Sequence, residues 1–206
     1  MTLLSSSDCE RIEEAIRRVE KRSAAEFVVA VVGKSGTYSR GRAFVAAAWA
    51  IAAALVYFRY VPWGAEYIGL VVQLPVGLLV WLLLGYAPLH RLFIPPKEAE
   101  RLVHGAAFRI FAERGVYRTR DRTGMLLLIS ELERRAVLLG DEAIHERVGD
   151  AGWRTLVEHL LKRIREGQAA TGVIEVIERL EGDLAREIPV KPGDENELPD
   201  RVIREP

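Results

Sequence analysis

The sequence predicts an α/β fold: a three-layer mixed-sheet domain split by an inserted α-helical hairpin of transmembrane length. Three observations predict it. The segment EFVVAVVG (Glu26 to Gly33) is short, valine-rich and closed by glycine, which reads as a strand buried on both faces. Two further segments of this kind, GMLLLIS (Gly124 to Ser130) and RRAVLLGD (Arg134 to Asp141), follow much later and read as an antiparallel pair joined at ELE. Between the first strand and its partners lie two long apolar runs.

The chain begins with an amphipathic helix. Ser7 and Asp8 offer an N-cap, and Ile12, Ile16 and Val19 recur at helical spacing through SSSDCERIEEAIRRVEKRS. The first strand follows at once, and one helix with one strand cannot make a domain. Residues Ala43 to Phe58 then carry no charge, and Tyr67 to Leu89 carry none either, with Gln73 as the one strongly polar side chain. A bilayer core asks for about 20 helical residues, and about 17 as a minimum. The second run is long enough alone, and the first reaches that length if Arg59 snorkels to the headgroups. A hairpin buried in a soluble core is the alternative; neither run shows the polar stripe of a surface helix.

The break between the runs, VYFRYVPWGAEYIG, suits an interface: Tyr57, Tyr60, Trp63 and Tyr67 are amphipathic rings, and Pro62 with Gly64 separates two helices. Lys34, Arg40 and Arg42 precede the hairpin and Arg91, Lys97 and Arg101 follow it, whereas the turn holds only Arg59. The positive-inside rule then expects both termini in the cytoplasm and a multi-pass protein of the bacterial inner membrane. An even number of spans returns the chain to its starting side, so the first strand can join the later two in one sheet. Within the spans, Ala46, Ala50 and Ala54 lie four apart, and Gly69, Gly77 and Gly85 lie eight apart. Small residues at these spacings let helices approach closely, and Gln73 can hydrogen-bond across such a contact.

Beyond the hairpin, Lys97 to Gly115 reads as a crossover helix. After Asp141 the pattern gives a short helix, another over Gly152 to Gly167 and a third from about Thr171 to Glu187, each with an apolar stripe. The last stretch, VKPGDENELPDRVIREP, is rich in proline and charge and reads as an extended arm rather than core. The expected organisation is therefore an α/β domain over 1–40 and 91–189, a two-span hairpin over 41–90 and an arm over 190–206.

Composition narrows the partners. The 206 residues are 50% hydrophobic and 28% charged, with 29 acidic residues against 29 Lys and Arg, so the electrostatic footprint of a nucleic-acid binder is missing. The first apolar run lies too far from Met1 for a cleavable signal and follows a polar segment. Cys9 is the single cysteine, so no intramolecular disulfide forms, in keeping with a reducing compartment.

The segment TGMLLLISELERRAVLLGDEAI, followed by GW, by a helix ending in Gly167 and by NELP, resembles the TPM domain family, and more narrowly its bacterial branch with a membrane hairpin after the first strand. The resemblance implies a TPM-like fold over nearly the whole chain. It also implies one of two functions, since other TPM proteins include a thylakoid-lumen repair factor of photosystem II with acid phosphatase activity and a membrane accessory subunit of a neurotransmitter receptor. Several of them bind divalent metal.

The residues themselves offer little catalytic chemistry: no glycine-rich phosphate loop, no zinc-type Cys/His spacing and no serine or cysteine beside an evident base. Glu131, Glu133 and Arg134 fall at the strand-pair tip, near the carboxyl ends of the parallel strands, where α/β sheets bind ligands. Carboxylates there can hold calcium or magnesium and Arg134 can fork onto phosphate; a solvated turn with a local ion pair is the alternative. At the opposite end of the sheet stand Glu26 and Asp141. Asp141 precedes a helix and so also reads as an N-cap, although its spacing from His145 would suit a metal. The expected function is a membrane-anchored accessory protein that binds the bilayer and either a membrane protein complex or copies of itself. The alternative is a weak metal-dependent hydrolase of phosphoesters at the membrane.

Overall fold

The computed structural model describes residues 3–60, 66–86, 94–190 and 196–205. In chain order the elements are α1 (Ser6–Glu20), β1 (Glu26–Val32), α2 (Ser39–Tyr60), α3 (Glu66–Leu83), α4 (Pro96–Glu113), a 3-10 turn (Val116–Arg118), β2 (Gly124–Ser130), β3 (Arg135–Gly140), α5 (Glu142–Arg165), α6 (Ala169–Glu187) and β4 (Ile203–Glu205). They form two compact units, Met1–Ser35 with Glu100–Pro206, and Gly36–Ala99.

The first unit is a mixed α/β domain built on a four-stranded sheet of order β3-β2-β1-β4. β1 runs parallel to both β2 and β4, and β2 pairs antiparallel with β3. All seven residues of β1 and all seven of β2 are buried, because both faces of the central strands are covered. Alternation sorts them: Phe27, Val29, Met125 and Leu127 pack with α1, α5 and α6, whereas Val28, Ala30, Leu126 and Leu128 pack with Val103, Ala107 and Ile110 of α4. Gly124 starts β2 because nothing larger fits. A Cβ there would lie 2.0 Å from the Val116 carbonyl oxygen.

Several elements differ from the sequence reading for local reasons. The N-cap of α1 is Ser5, not Ser7 or Asp8: its hydroxyl accepts from the Asp8 amide at 3.1 Å, and the Asp8 carboxylate takes the Ser5 amide at 2.9 Å. The Ser5 hydrogen bonds hold Asp8 below the ordinary carboxylate range. The two helices expected after Asp141 are one, Glu142–Arg165, running through Gly149 and Gly152 without a break. Its far end is fastened to α6, where Arg163 donates to both oxygens of Glu175 at 2.8 and 2.5 Å and His159 Nε2 lies 2.6 Å from the same carboxylate. These bonds, Arg163 foremost, press the Glu175 carboxyl down to about 2.

The largest difference is at the end of the chain. Residues 203–205 of the expected arm add β4 alongside Ala30–Val32, and Leu198 is buried with the α4-side core. Arg204 anchors the strand to the start of α1, donating to the carbonyls of Leu4 and Ser5 at 2.9 and 3.0 Å.

The second unit is a pair of apolar helices. The Gly41–Tyr60 part of α2 is long and apolar enough to cross a membrane, and only 11% of it is buried. In α3 the apolar stretch is the shorter Val71–Leu83, with Pro75 inside the helix. One helix of spanning length among the described residues is thus fewer than the two spans expected. The contact is antiparallel and made by small residues: a Cβ on Gly77 would lie 3.4 Å from Ala50 Cβ and 3.8 Å from the Ala46 carbonyl, and Gly69 faces the rings of Tyr57 and Phe58. Ala46 and Ala54 are buried in it, and Gln73 is half-buried. Arg42 closes one end, donating to the Trp81 carbonyl at 2.7 Å with its guanidinium 4.4 Å from the Trp81 ring. Pro62, Trp63 and Gly64 of the expected interfacial turn, and His90 and Arg91 beyond α3, lie outside the described residues.

Candidate functional site

The β2–β3 turn sits at the carboxyl ends of the parallel strands β1 and β2 because the pairing continues past both: the Glu131 and Leu132 amides donate to the carbonyls of Val32 and Gly33 at 3.0 and 3.1 Å. That is the end of the sheet at which α/β folds place ligands. The three residues expected to act together there are separated by their bonding. Glu133 turns inward, 8% exposed, with one oxygen accepting from the Ser35 amide at 3.0 Å and the other from the Ser130 hydroxyl. Ser130 in turn receives the Ser35 hydroxyl at 2.8 Å. Glu131 is half-buried and accepts from the Leu3 amide at 2.8 Å. Arg134 is exposed and holds a left-handed backbone, φ 50°.

These donors do not fit a divalent cation. Calcium takes about 6–8 oxygens, whereas both oxygens of Glu133 already accept hydrogen bonds from the chain. Among the described residues no group of three or more His, Cys, Asp or Glu is placed to hold a metal. The Ser130–Glu133 hydrogen bond, invisible in the sequence, joins a hydroxyl to a carboxylate base, but Ser130 is fully buried and the bond braces the turn.

At the other end, Glu26 and Asp141 flank Gly124: Glu26 is its register partner in β1, and the Asp141 amide donates to its carbonyl at 2.9 Å. They serve different partners. Glu26 is buried and accepts the amides of Glu197 and Leu198 at 3.1 and 3.2 Å, holding the end of the chain. Asp141 caps α5 through the Glu142 amide at 2.8 Å and pairs with Arg122 Nε at 2.9 Å. The spacing to His145 is used by the helix itself, the His145 amide donating to the Asp141 carbonyl at 2.9 Å.

Sequence reading missed Glu20. It reads as a solvated acid at the end of α1, yet burial lifts its carboxyl to about 8, and the nearby carboxylates of Glu26 and Asp200 add to the rise. Its oxygens take the Phe27 amide at 3.1 Å and Asn196 Nδ2 at 3.5 Å. The signal that could have found it is NELPD, a polar motif in an otherwise arm-like stretch.

Residues 97–183 match the TPM domain family. The match covers α4, β2, β3, α5 and most of α6, the part of the chain that carries the hairpin tip. Among solved structures, the NMR structure of BA42 protein from the psychrophilic bacterium Bizionia argentinensis is similar over 98% of this chain and 94% of that one, with a TM-score of 0.61 and 18% sequence identity. At that identity the likeness is one of fold. No curated protein matches.

Proposed function

We propose that this chain is a membrane-anchored accessory protein, a TPM-like α/β domain that binds and helps assemble or maintain a membrane protein complex without strong catalysis of its own. One observation carries the reading: the apolar pair α2 and α3 leaves Phe44, Trp49, Leu55, Leu74 and Leu82 exposed, with Phe44 and Leu74 at 78% and 76%. So much contiguous apolar surface calls for lipid or a protein neighbour to cover it. The carboxylates at both sheet ends, by contrast, are bonded within the domain, which suits a rigid binding module better than a reaction centre. In this reading the helical pair lies in the bacterial inner membrane with both termini on the cytoplasmic side, and the partner is a membrane protein complex or further copies of the chain.

The test is copurification from gently solubilised native membranes, joined to an assay of the purified protein on an aryl phosphate and a phosphopeptide with magnesium, calcium or manganese. Recovery of a stable membrane-protein partner or homo-oligomer, with no turnover above that of Glu133→Gln and Arg134→Ala, is the expected result. Metal-dependent turnover lost in both variants would replace this reading with the hydrolase.

A further inference from the structure

Beside the hairpin tip, on the α1, α5 and α6 side of the sheet, lies a cleft of about 290 Å³ between the β2–β3 turn and the end of α5. Its walls are divided in chemistry. Leu3, Ile129, Leu161 and Ile164 are apolar, whereas Arg134 from the turn and Arg165 from the end of α5 bring two guanidinium groups. Neither arginine has a carboxylate partner among the described residues, unlike Arg109, Arg122 and Arg163, which are all paired.

We propose that this cleft binds a small organic monocarboxylate, its carboxylate held by Arg134 and Arg165 and its aliphatic or aryl body lying on the apolar wall. The inference goes beyond the accessory reading and does not depend on it. Three features select the ligand. Guanidinium groups present forked donors that match a carboxylate, and the apolar wall gives a hydrocarbon body a place out of water. Charge sets the valence. Glu131 shares the cleft, so two cations stand against one anion, which suits a single negative charge and disfavours a dianion such as a phosphate monoester. Size limits the body, since at about 30 Å³ for each water-sized group the volume holds on the order of ten non-hydrogen atoms.

The C-terminal end of a helix ordinarily repels an anion. Here the carbonyls of Lys162, Arg163 and Ile164 are already taken by the amides of Glu166, Gln168 and Gly167, which reduces that opposition. Arg134 is also the residue of the turn with a left-handed backbone, a conformation that non-glycine residues rarely hold. Glycine would suit that backbone better, so an arginine here costs the turn some stability.

The experiment titrates the full-length protein in lipid nanodiscs with 3-phenylpropanoate, following saturation transfer to the ligand by NMR and subtracting empty nanodiscs. Acetate, 3-phenylpropanol and phenyl phosphate serve as the arms without body, without charge and with a second charge. Expected are saturable binding of 3-phenylpropanoate, binding at least tenfold weaker for each of the other three, and at least a tenfold loss in Arg134→Gln and in Arg165→Gln. Arg134→Gly, which relaxes the backbone, keeps the test open if Arg134→Gln does not fold, and Ile164→Phe should block the apolar wall and abolish binding with both arginines intact. Absence of saturable binding in the wild type overturns the proposal, as does binding that survives loss of both arginines or a preference for phenyl phosphate.

Discussion

The α/β unit and the helical pair are both rich in apolar residues and use them in opposite ways. In the first, Leu126, Leu127, Leu128 and Val29 have no exposed surface to speak of and lie between layers of helix, while in the second Leu55, Leu74 and Leu78 stand largely uncovered. The polar groups divide likewise. Buried carboxylates of the α/β unit, Glu26, Glu133 and Asp141, each accept backbone amides, whereas the helical contact rests on alanine, glycine and ring packing with Arg42 at one end. The difference is between apolar surface covered within the chain and apolar surface that the chain leaves uncovered.

The strongest attempt to break this contrast removes the centre of the sheet. β1 pairs on both sides, so a fragment beginning at Lys97 loses the strand on which β2 and β4 both lean. It should show no cooperative thermal transition by circular dichroism, whereas replacing residues 41–90 with a flexible linker should leave a soluble domain that melts cooperatively. A cooperative transition in the Lys97 fragment would mean that the two stretches of the α/β unit do not depend on each other.

Next in size are paired truncations. Leu127→Ala, at a fully buried site, should cost about 2–5 kcal/mol of unfolding free energy by transfer and cavity terms together. Leu74→Ala, at a site 76% exposed, should cost under about 0.5 kcal/mol as an exposed position does. Chemical denaturation of both variants in the same detergent measures the two. A comparable loss at Leu74 would indicate that α3 is covered by protein, within the chain or from a second copy.

What the sequence made legible follows the same division. A run such as EFVVAVV can satisfy its backbone and bury every side chain only as a central strand, and the spacing of Ile12, Ile16 and Val19 allows little but an amphipathic helix, so the layers were readable. The Ala46, Ala50 and Ala54 spacing was readable for the same reason, being local and periodic. The merging of two helices into α5 was not, because glycines that read as breaks are carried by a helix fastened at both ends, by Asp141 and by the Arg163–Glu175 pair. Nor was β4, whose three residues follow a proline-rich stretch and gain their order from β1 and from the Leu4 and Ser5 carbonyls that Arg204 binds, all far away in the chain. The tip was legible in residue type and position but not in bonding. Glu133 looks like its neighbour Glu131 until Ser35, 98 positions earlier, is brought against it.

Glu20 sharpens the polar half of the contrast. Its carboxyl is raised from 4.5 to about 8, first by burial and then by Glu26 and Asp200, so between those values the folded chain keeps a proton that the unfolded chain has lost. Its contribution is therefore undiminished below about pH 4.5 and declines as pH rises to about 8. Glu20→Gln keeps an acceptor for the Phe27 amide and removes the titration. The variant should match wild type near pH 4.5 and exceed it in melting temperature above pH 8. Parallel pH profiles for the two proteins would show that Glu20 ionises freely. Glu175 runs the other way: held at about 2 against an ordinary 4.5, it should lose stabilising contact as pH falls through that range, and Glu175→Gln should flatten the acid side of the profile.

The smallest effects test how tightly each unit is packed, using one substitution in both. Glycine to alanine inside a helix gains about 1 kcal/mol of intrinsic propensity, so its net outcome reports the room for one methyl group. In α6, a Cβ on Gly172 would lie 2.6 Å from Arg163 Cβ and 3.1 Å from a Leu160 methyl, and Arg163 cannot move aside without loosening its hold on Glu175. In α3, a Cβ on Gly77 would meet Ala50 Cβ at 3.4 Å, an ordinary contact. Gly172→Ala should therefore destabilise by about 1–2 kcal/mol net, since overpacking costs outweigh the propensity gain, while Gly77→Ala should be neutral or stabilising by up to about 1 kcal/mol. Thermal melts of both variants with intact helical pairs read the difference in sign. If Gly77→Ala destabilises as much as Gly172→Ala, the helices approach more closely than their ring and alanine contacts imply, and the second unit is packed as tightly as the first.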